Sequence, residues 1–185
     1  MKISFSKEIS NLLYALDSNP IDRCIQCGTC SGTCPVAEFM DYSPREIIQM
    51  IRVNLKKEVL SSNTIWYCAS CYHCTVKCSA GINITEMMYA LKRYSIWKNY
   101  YKKSLIGPNF SKLFIRQILK TGKSFEPSLA PSFIFKYGFR SFLDDSLMGF
   151  TLWRKGRMAV IPSKIKRIEN FKRVIARIIP LGRST

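Results

Sequence analysis

"CIQCGTCSGTCP", residues 24–35, sets four cysteines within eleven positions and closes on a proline. Thirty-three residues later the arrangement returns as "CASCYHCTVKCS", residues 68–79, with Ser79 where the first run has Pro35. All eight cysteines of the 185-residue chain lie in these two runs. A C-x2-C-x2-C loop wraps one turn of backbone around three corners of a tetrahedron, and its amide N–H groups stabilise negative charge on the sulfurs. That is the demand of a cubane of four irons and four sulfides, which takes one thiolate per iron. The fourth cysteine, three residues further on, points away from its own loop and in two-cluster proteins ligates the other cube.

Applied to this chain, the spacing predicts Cys24, Cys27, Cys30 and Cys78 on one 4Fe–4S cluster. Cys68, Cys71, Cys74 and Cys34 are then expected on the other. Crossed ligation of this kind fastens the two runs together and makes the metal part of the fold. Two alternatives fit less well. Zinc sites use C-x2-C pairs separated by a loop, not three cysteines in seven positions. Disulfides suit an oxidising compartment and a chain too small to build its own core. His73, the single histidine, is expected to stay outside the ligand set. Trp66, Tyr67 and Tyr72 are expected to screen the site from water. Ser79 gives up the fixed φ of proline but removes no ligand, so it is expected to loosen the turn or alter a cluster's potential.

Charge divides the chain. Residues 1–100 hold 11 Lys/Arg and 8 Asp/Glu, a net of +3, and residues 101–185 hold 18 and 4, a net of +14. The expected organisation is a cysteine-bearing domain over 1–104 and a basic, partly helical extension over 105–185 that docks a partner. Such a tail suits an anionic protein, a membrane surface or nucleic acid, or is simply a solvated helix face. The opening "MKISFSKEISNLL" has Lys7 and Glu8 where a secretory signal needs an apolar core. No apolar run approaches a membrane span. The expected location is the cytoplasm, with membrane contact allowed but no crossing.

Helical periodicity dominates, and the fold is expected to be all-α. Ile9, Leu12, Leu13 and Leu16 predict a first helix ended by "DSNP". Ser43 and Pro44 read as N-cap and first turn of a helix carrying Ile47, Ile48, Ile51, Leu55 and Val59 on one face. Thr85 is expected to cap a helix through Met88, Leu91 and Tyr94 or Ser95 to about Lys102. A further helix is expected from an Asn109 cap to a Gly122 stop. Pro127 and Pro131 suggest extended chain, and the aromatic-rich stretch from Ser132 to Arg157 has no clear helical reading. A last helix is expected to begin at Pro162 and end at Pro180, with Ile165, Ile168, Phe171 or Lys172, Ile175 and Ile178 as its stripe.

The stretches "CIQCGTCSGTCPVAEFMDYSPREIIQMI" and "TIWYCASCYHCTVKCSAGINITEMM" closely resemble the C subunit of heterodisulfide reductase and heterodisulfide reductase-like complexes. The resemblance spans about residues 5–100 and includes "YSPREI" and "TIWYCASCY" outside the ligands. It implies a helical ferredoxin-type domain with two 4Fe–4S clusters. It also implies a chain that relays electrons between an A-type flavin and iron–sulfur subunit and a disulfide-active B-type subunit bearing CCG domains. The basic tail is similar to that of the complexes associated with sulfur oxidation. The chain itself has no CCG signature, no Gly-rich dinucleotide loop and no nucleophile beside a base, so catalysis is expected on the partners. Two other readings are an iron–sulfur subunit of a succinate- or glycolate-type dehydrogenase and a redox-sensing protein that grips nucleic acid. The tail has no recognisable nucleic-acid module, so no nucleic-acid partner is expected.

Overall fold

A computed structural model describes residues 4–13, 20–125, 150–157 and 163–178. Every regular element among these residues is helical, and the chain divides into two compact units, Met1–Asn109 and Phe110–Thr185.

The first unit is built on two helices, α3 (Pro44–Arg52) and α7 (Ile84–Lys98). Ser43 opens α3 as expected: its hydroxyl accepts from the Glu46 N–H, and the Glu46 carboxylate accepts from the Ser43 N–H at 2.7 Å. This reciprocal box satisfies two of the backbone donors that a helix start leaves unpaired. Ile47, Ile48 and Ile51 point inward from α3, and Met87, Met88, Leu91 and Tyr94 from α7. Around them pack α1 (Phe5–Ser10), α4 (Lys56–Ser61) and α5 (Thr64–Tyr67), adding Phe5, Ile9, Val59, Leu60 and Ile65 to one core. Each fully buried Ile or Leu here contributes roughly 1.5–3 kcal/mol. Two four-residue helices, α2 (Thr29–Gly32) and α6 (His73–Val76), carry the cysteine runs and pack against each other.

Several boundaries differ from the expectations. The single helix predicted through Leu55 and Val59 is two, because Asn54 sits in the left-handed region (φ 62°) and breaks the run. Leu55 is consequently exposed. The Asn54 amide oxygen accepts from the Phe5 N–H at 2.8 Å and from the Ser4 hydroxyl, so the break also caps α1. Asn83, not Thr85, caps α7 by accepting from the Glu86 N–H at 3.1 Å. That helix stops at Lys98, where Asn99 turns left-handed (φ 60°), rather than at Lys102. Of the first predicted stripe, Ile9 and Leu13 are buried, while Leu16 lies outside the described residues.

Helix α8 (Ile106–Thr121) starts three residues before the predicted cap. Asn109 lies within it and donates its side-chain amide to the carbonyls of Lys103 and Leu105. Gly107 is required by packing, since a Cβ there would lie 2.8 Å from the Trp66 ring.

In the second unit Gly122 ends α8 as expected, at φ 77°. A Cβ there would also meet the Ile165 side chain at 2.5 Å, and the Ile165 N–H donates to the Thr121 carbonyl at 3.1 Å. Ile165 thus anchors the segment before α9 (Ile168–Ile178) instead of belonging to its stripe. That helix begins at Ile168, six residues after Pro162. Pro127, Pro131, Pro162 and Pro180 lie outside the described residues, as does most of the aromatic-rich stretch; of that stretch, residues 150–154 are helical.

Candidate metal centre

The two cysteine runs fold alike, position by position. Gln26 (φ 58°) and Gly28 (φ 82°) are left-handed on either side of Cys27. Ser70 (φ 58°) and Tyr72 (φ 63°) are left-handed on either side of Cys71. Non-glycine residues rarely adopt this region, and for a bulky side chain such as Tyr72 it is a true outlier. Alternation of this kind turns successive N–H groups toward one concave side, an anion-binding nest. Each loop then runs into its short helix with the same turn bonds: Ser31 and Gly32 donate to the Gly28 carbonyl, Thr75 and Val76 to that of Tyr72. Two separate stretches have therefore been bent, against local preference, into the same cradle.

Packing α2 against α6 exchanges the last cysteine of each run. Cys24, Cys27, Cys30 and Cys78 line one cleft of about 340 Å3, together with Gly28, Arg45 and Ser79. Cys34, Cys68, Cys71 and Cys74 line another of about 370 Å3, together with Tyr72, Thr85 and Met88. Each cleft thus holds three cysteines from one run and the displaced fourth from the other.

Burial and neighbouring thiols act on the inner sulfurs. Burial pushes the Cys34 thiol up, and so does the charge of Cys74, Cys71 and Cys68. Burial likewise raises Cys30, with Cys24 and Cys74 adding to it. The Thr29 hydroxyl and N–H hold Cys27 below the usual thiol value. A metal takes cysteine as the thiolate, so loading the clefts releases protons.

The eight thiols are all free. Among the described residues no three His, Cys, Asp or Glu side chains converge on a single-ion site. His73 is exposed and lines neither cleft. Of the aromatic residues expected to screen the site, only Tyr72 lines a cleft; Trp66 packs on the core and Tyr67 is half exposed.

Reading from spacing alone overlooks what holds the loops. The Arg52 guanidinium donates to the Cys24 carbonyl at 3.1 Å and the Lys92 ammonium to that of Cys68 at 3.0 Å, one cation from each main helix. It also overlooks polar contacts to sulfur: Gln26 Nε2 to Cys24 Sγ and the Ile82 N–H to Cys78 Sγ, both at 3.4 Å. Aligning the runs at their fixed offset is the signal that finds Gln26, since the ligand spacing repeats and the residues between do not.

Comparison with known proteins bears on the same region. Residues 20–82 match the family of 4Fe–4S dicluster domains. The chain is 36% identical over 87 residues to the C subunit of the H(2):CoB-CoM heterodisulfide,ferredoxin reductase of Methanothermobacter marburgensis, covering 47% of each chain. It is 40% identical over 80 residues to the C subunit of the ferredoxin:CoB-CoM heterodisulfide reductase of Methanosarcina acetivorans, covering 43% of this chain and 32% of that one. With the iron–sulfur C subunit of the CoB–CoM heterodisulfide reductase of Methanopyrus kandleri the identity is 31% over 104 residues, 54% of each. The chain spans about half the length, or less, of these relatives. Its all-helical front matches the 4Fe–4S dicluster domains over residues 20–82 and holds two 4Fe–4S clusters, an iron–sulfur electron-transfer module similar to that of heterodisulfide reductase C subunits.

Proposed function

We propose that this chain is the electron-transfer subunit of a cytoplasmic heterodisulfide reductase-type complex. Its partners are an A-type flavin and iron–sulfur subunit and a B-type subunit with CCG domains, where the sulfur chemistry takes place. The basic residues 105–185 form its docking extension, and sulfur oxidation is the process it serves. Each cluster, when bound, supplies a reversible one-electron site. The chain's own part is to supply thiolates, hold the two loops in register and limit water at the sulfurs.

We assign Cys24, Cys27, Cys30 and Cys78 to one cluster and Cys34, Cys68, Cys71 and Cys74 to the other. The observation that supports this is the lining of the two clefts, three cysteines from one run and one from the other in each. Arg52 and Lys92 tie the loops to α3 and α7, so the spacing between the two thiol sets follows that of the core helices. A fixed spacing is what a relay needs and what a sensor that opens on cluster loss does not.

Iron and acid-labile sulfide in anaerobically purified protein, with EPR after dithionite reduction, test the reading. About eight of each per chain and an interacting pair of S = 1/2 signals are expected. Zinc without sulfide overturns it. Cys34→Ser should damage the cluster held by Cys68, Cys71 and Cys74 while leaving the other; loss of the other alone refutes the crossed assignment.

A further inference from the structure

The two thiol sets share a backbone but not their side-chain donors. Around the first set, Gln26 Nε2 lies 3.4 Å from Cys24 Sγ and Thr29 Oγ1 lies 3.4 Å from Cys27 Sγ. A thiolate has no hydrogen to give, so Thr29 donates once Cys27 is a ligand. Ser79 lines the same cleft as Cys27, and Ser31 follows Cys30 in the chain. Ser31 already accepts from the Arg45 N–H at 3.1 Å, which leaves its own hydrogen for the sulfur.

At the matching positions of the other run the amide and two of the hydroxyls are missing, while Thr75 keeps the hydroxyl of Ser31. Ser70 replaces Gln26, His73 replaces Thr29, and Pro35, which has no hydroxyl, replaces Ser79. Among the described residues the one side-chain hydroxyl within hydrogen-bond reach of a sulfur of the second set is Thr85, 3.8 Å from Cys74 Sγ. Its hydrogen has a better acceptor. Thr75 gives its own hydrogen to Asn83 Oδ1 and so accepts from Thr85 at 2.9 Å. The backbone does not offset this, since the Ile82 N–H donates to Cys78 of the first set. Arg45 adds a positive charge to the lining of the first cleft only.

Hydrogen bonds to ligand sulfur and nearby positive charge stabilise the more negative, reduced form and raise a cluster's reduction potential. We infer that Gln26, Thr29, Ser31 and Ser79 are tuning residues that make the site of Cys24, Cys27, Cys30 and Cys78 the higher-potential one of the two. One added electron rests there; its arrival makes and breaks no bond and moves no proton, and an external one-electron donor supplies it. The inference rests on the two-cluster, crossed-set reading above, and it gives the relay a downhill sense from the second set to the first.

The test is an EPR-monitored potentiometric titration of the full chain, anaerobically purified with both clusters and reduced by dithionite. Two separate midpoints are expected. Thr29→Val and Ser79→Ala should each move the higher midpoint to lower potential and leave the lower one in place. Thr29→Ser, which keeps the hydroxyl, should restore the wild-type value. Pro35→Ser, which adds a hydroxyl toward the second set, should raise the lower midpoint. Coincident wild-type midpoints overturn the inference, as does a Thr29→Val effect on the lower midpoint or the absence of any shift. If Thr29→Val fails to load iron, Ser79→Ala and Pro35→Ser carry the test. A wild-type chain without iron and sulfide overturns the underlying reading instead, so the two failures are distinct.

Discussion

Glu8, Lys56 and Tyr94 come from three different helices and meet at one point. The Lys56 ammonium reaches Glu8 Oε2 at 2.7 Å and also contacts the Tyr94 hydroxyl, which in turn donates to the same carboxylate. The ammonium also lies over the ring faces of Phe5 and Tyr94, whose quadrupoles attract it. Burial alone would push Glu8 up, yet Lys56 and Tyr94 together hold it below its ordinary value of 4.5. Burial would lower Lys56, and Glu8 and Tyr94 together raise it above 10.5. A lowered carboxylate contributes stability above about pH 4.5 that is lost as pH falls through the folded value. A raised lysine contributes stability below about pH 10.5 that is lost as pH rises through its folded value. Glu8→Gln is therefore expected to cost about 1 kcal/mol at pH 7, the upper end for a partly exposed pair. Paired urea unfolding curves check this, and the gap between variant and wild type should close below pH 4.5. A gap that persists unchanged at lower pH would assign the cost to packing.

At the scale of elements, the decisive residue is Asn54. It makes two helices of one apolar stripe and returns an amide oxygen to the start of α1. Asn54→Ala loses the cap and forces a Cβ residue without a local hydrogen bond into the left-handed region, so a cost of about 2 kcal/mol is expected. Asn54→Gly keeps the conformation, loses only the cap, and should cost clearly less. Denaturation midpoints of the two variants give the comparison; equal losses would show that the cap, not the turn, dominates. The periodicity of Ile47, Ile48 and Ile51 was legible in the sequence, but its interruption was not. Val59 returns to the core only because the chain first turns at Asn54 and starts a new helix.

For the whole molecule, the contrast is between helices that stand by packing and helices that stand by ligation. α3 and α7 bury continuous apolar faces, while α2 and α6 have four residues each and, between them, only Cys30 buried. Helices that short do not persist on their own hydrogen bonds. Removing iron with a chelator under anaerobic conditions should therefore abolish amide-exchange protection over residues 24–34 and 68–78. Residues 44–52 and 84–98 should stay protected. Loss of protection in both groups would mean that the metal holds the entire first unit together. Among the described residues no helix is long and apolar enough to cross a membrane.

The sequence by itself determined the chemistry of this protein: eight thiols at a repeated spacing, all-helical periodicity, the N-cap at Ser43 and a basic tail. These are local properties, carried by spacing and by side-chain type. Tertiary structure decided what needs two distant segments at once. It brought Cys78 to the first loop and Cys34 to the second, because α2 packs on α6. It also brought Ser79, which stands where the first run has a proline, into the cleft of Cys27, a residue 52 positions away in the chain. It moved the α7 cap from Thr85 to Asn83, since the Thr85 N–H and hydroxyl are engaged by Thr75 across the loop. Hydrogen bonds to sulfur run between residues whose separation in sequence carries no period, so only the folded chain reveals that two loops of identical spacing are chemically unequal.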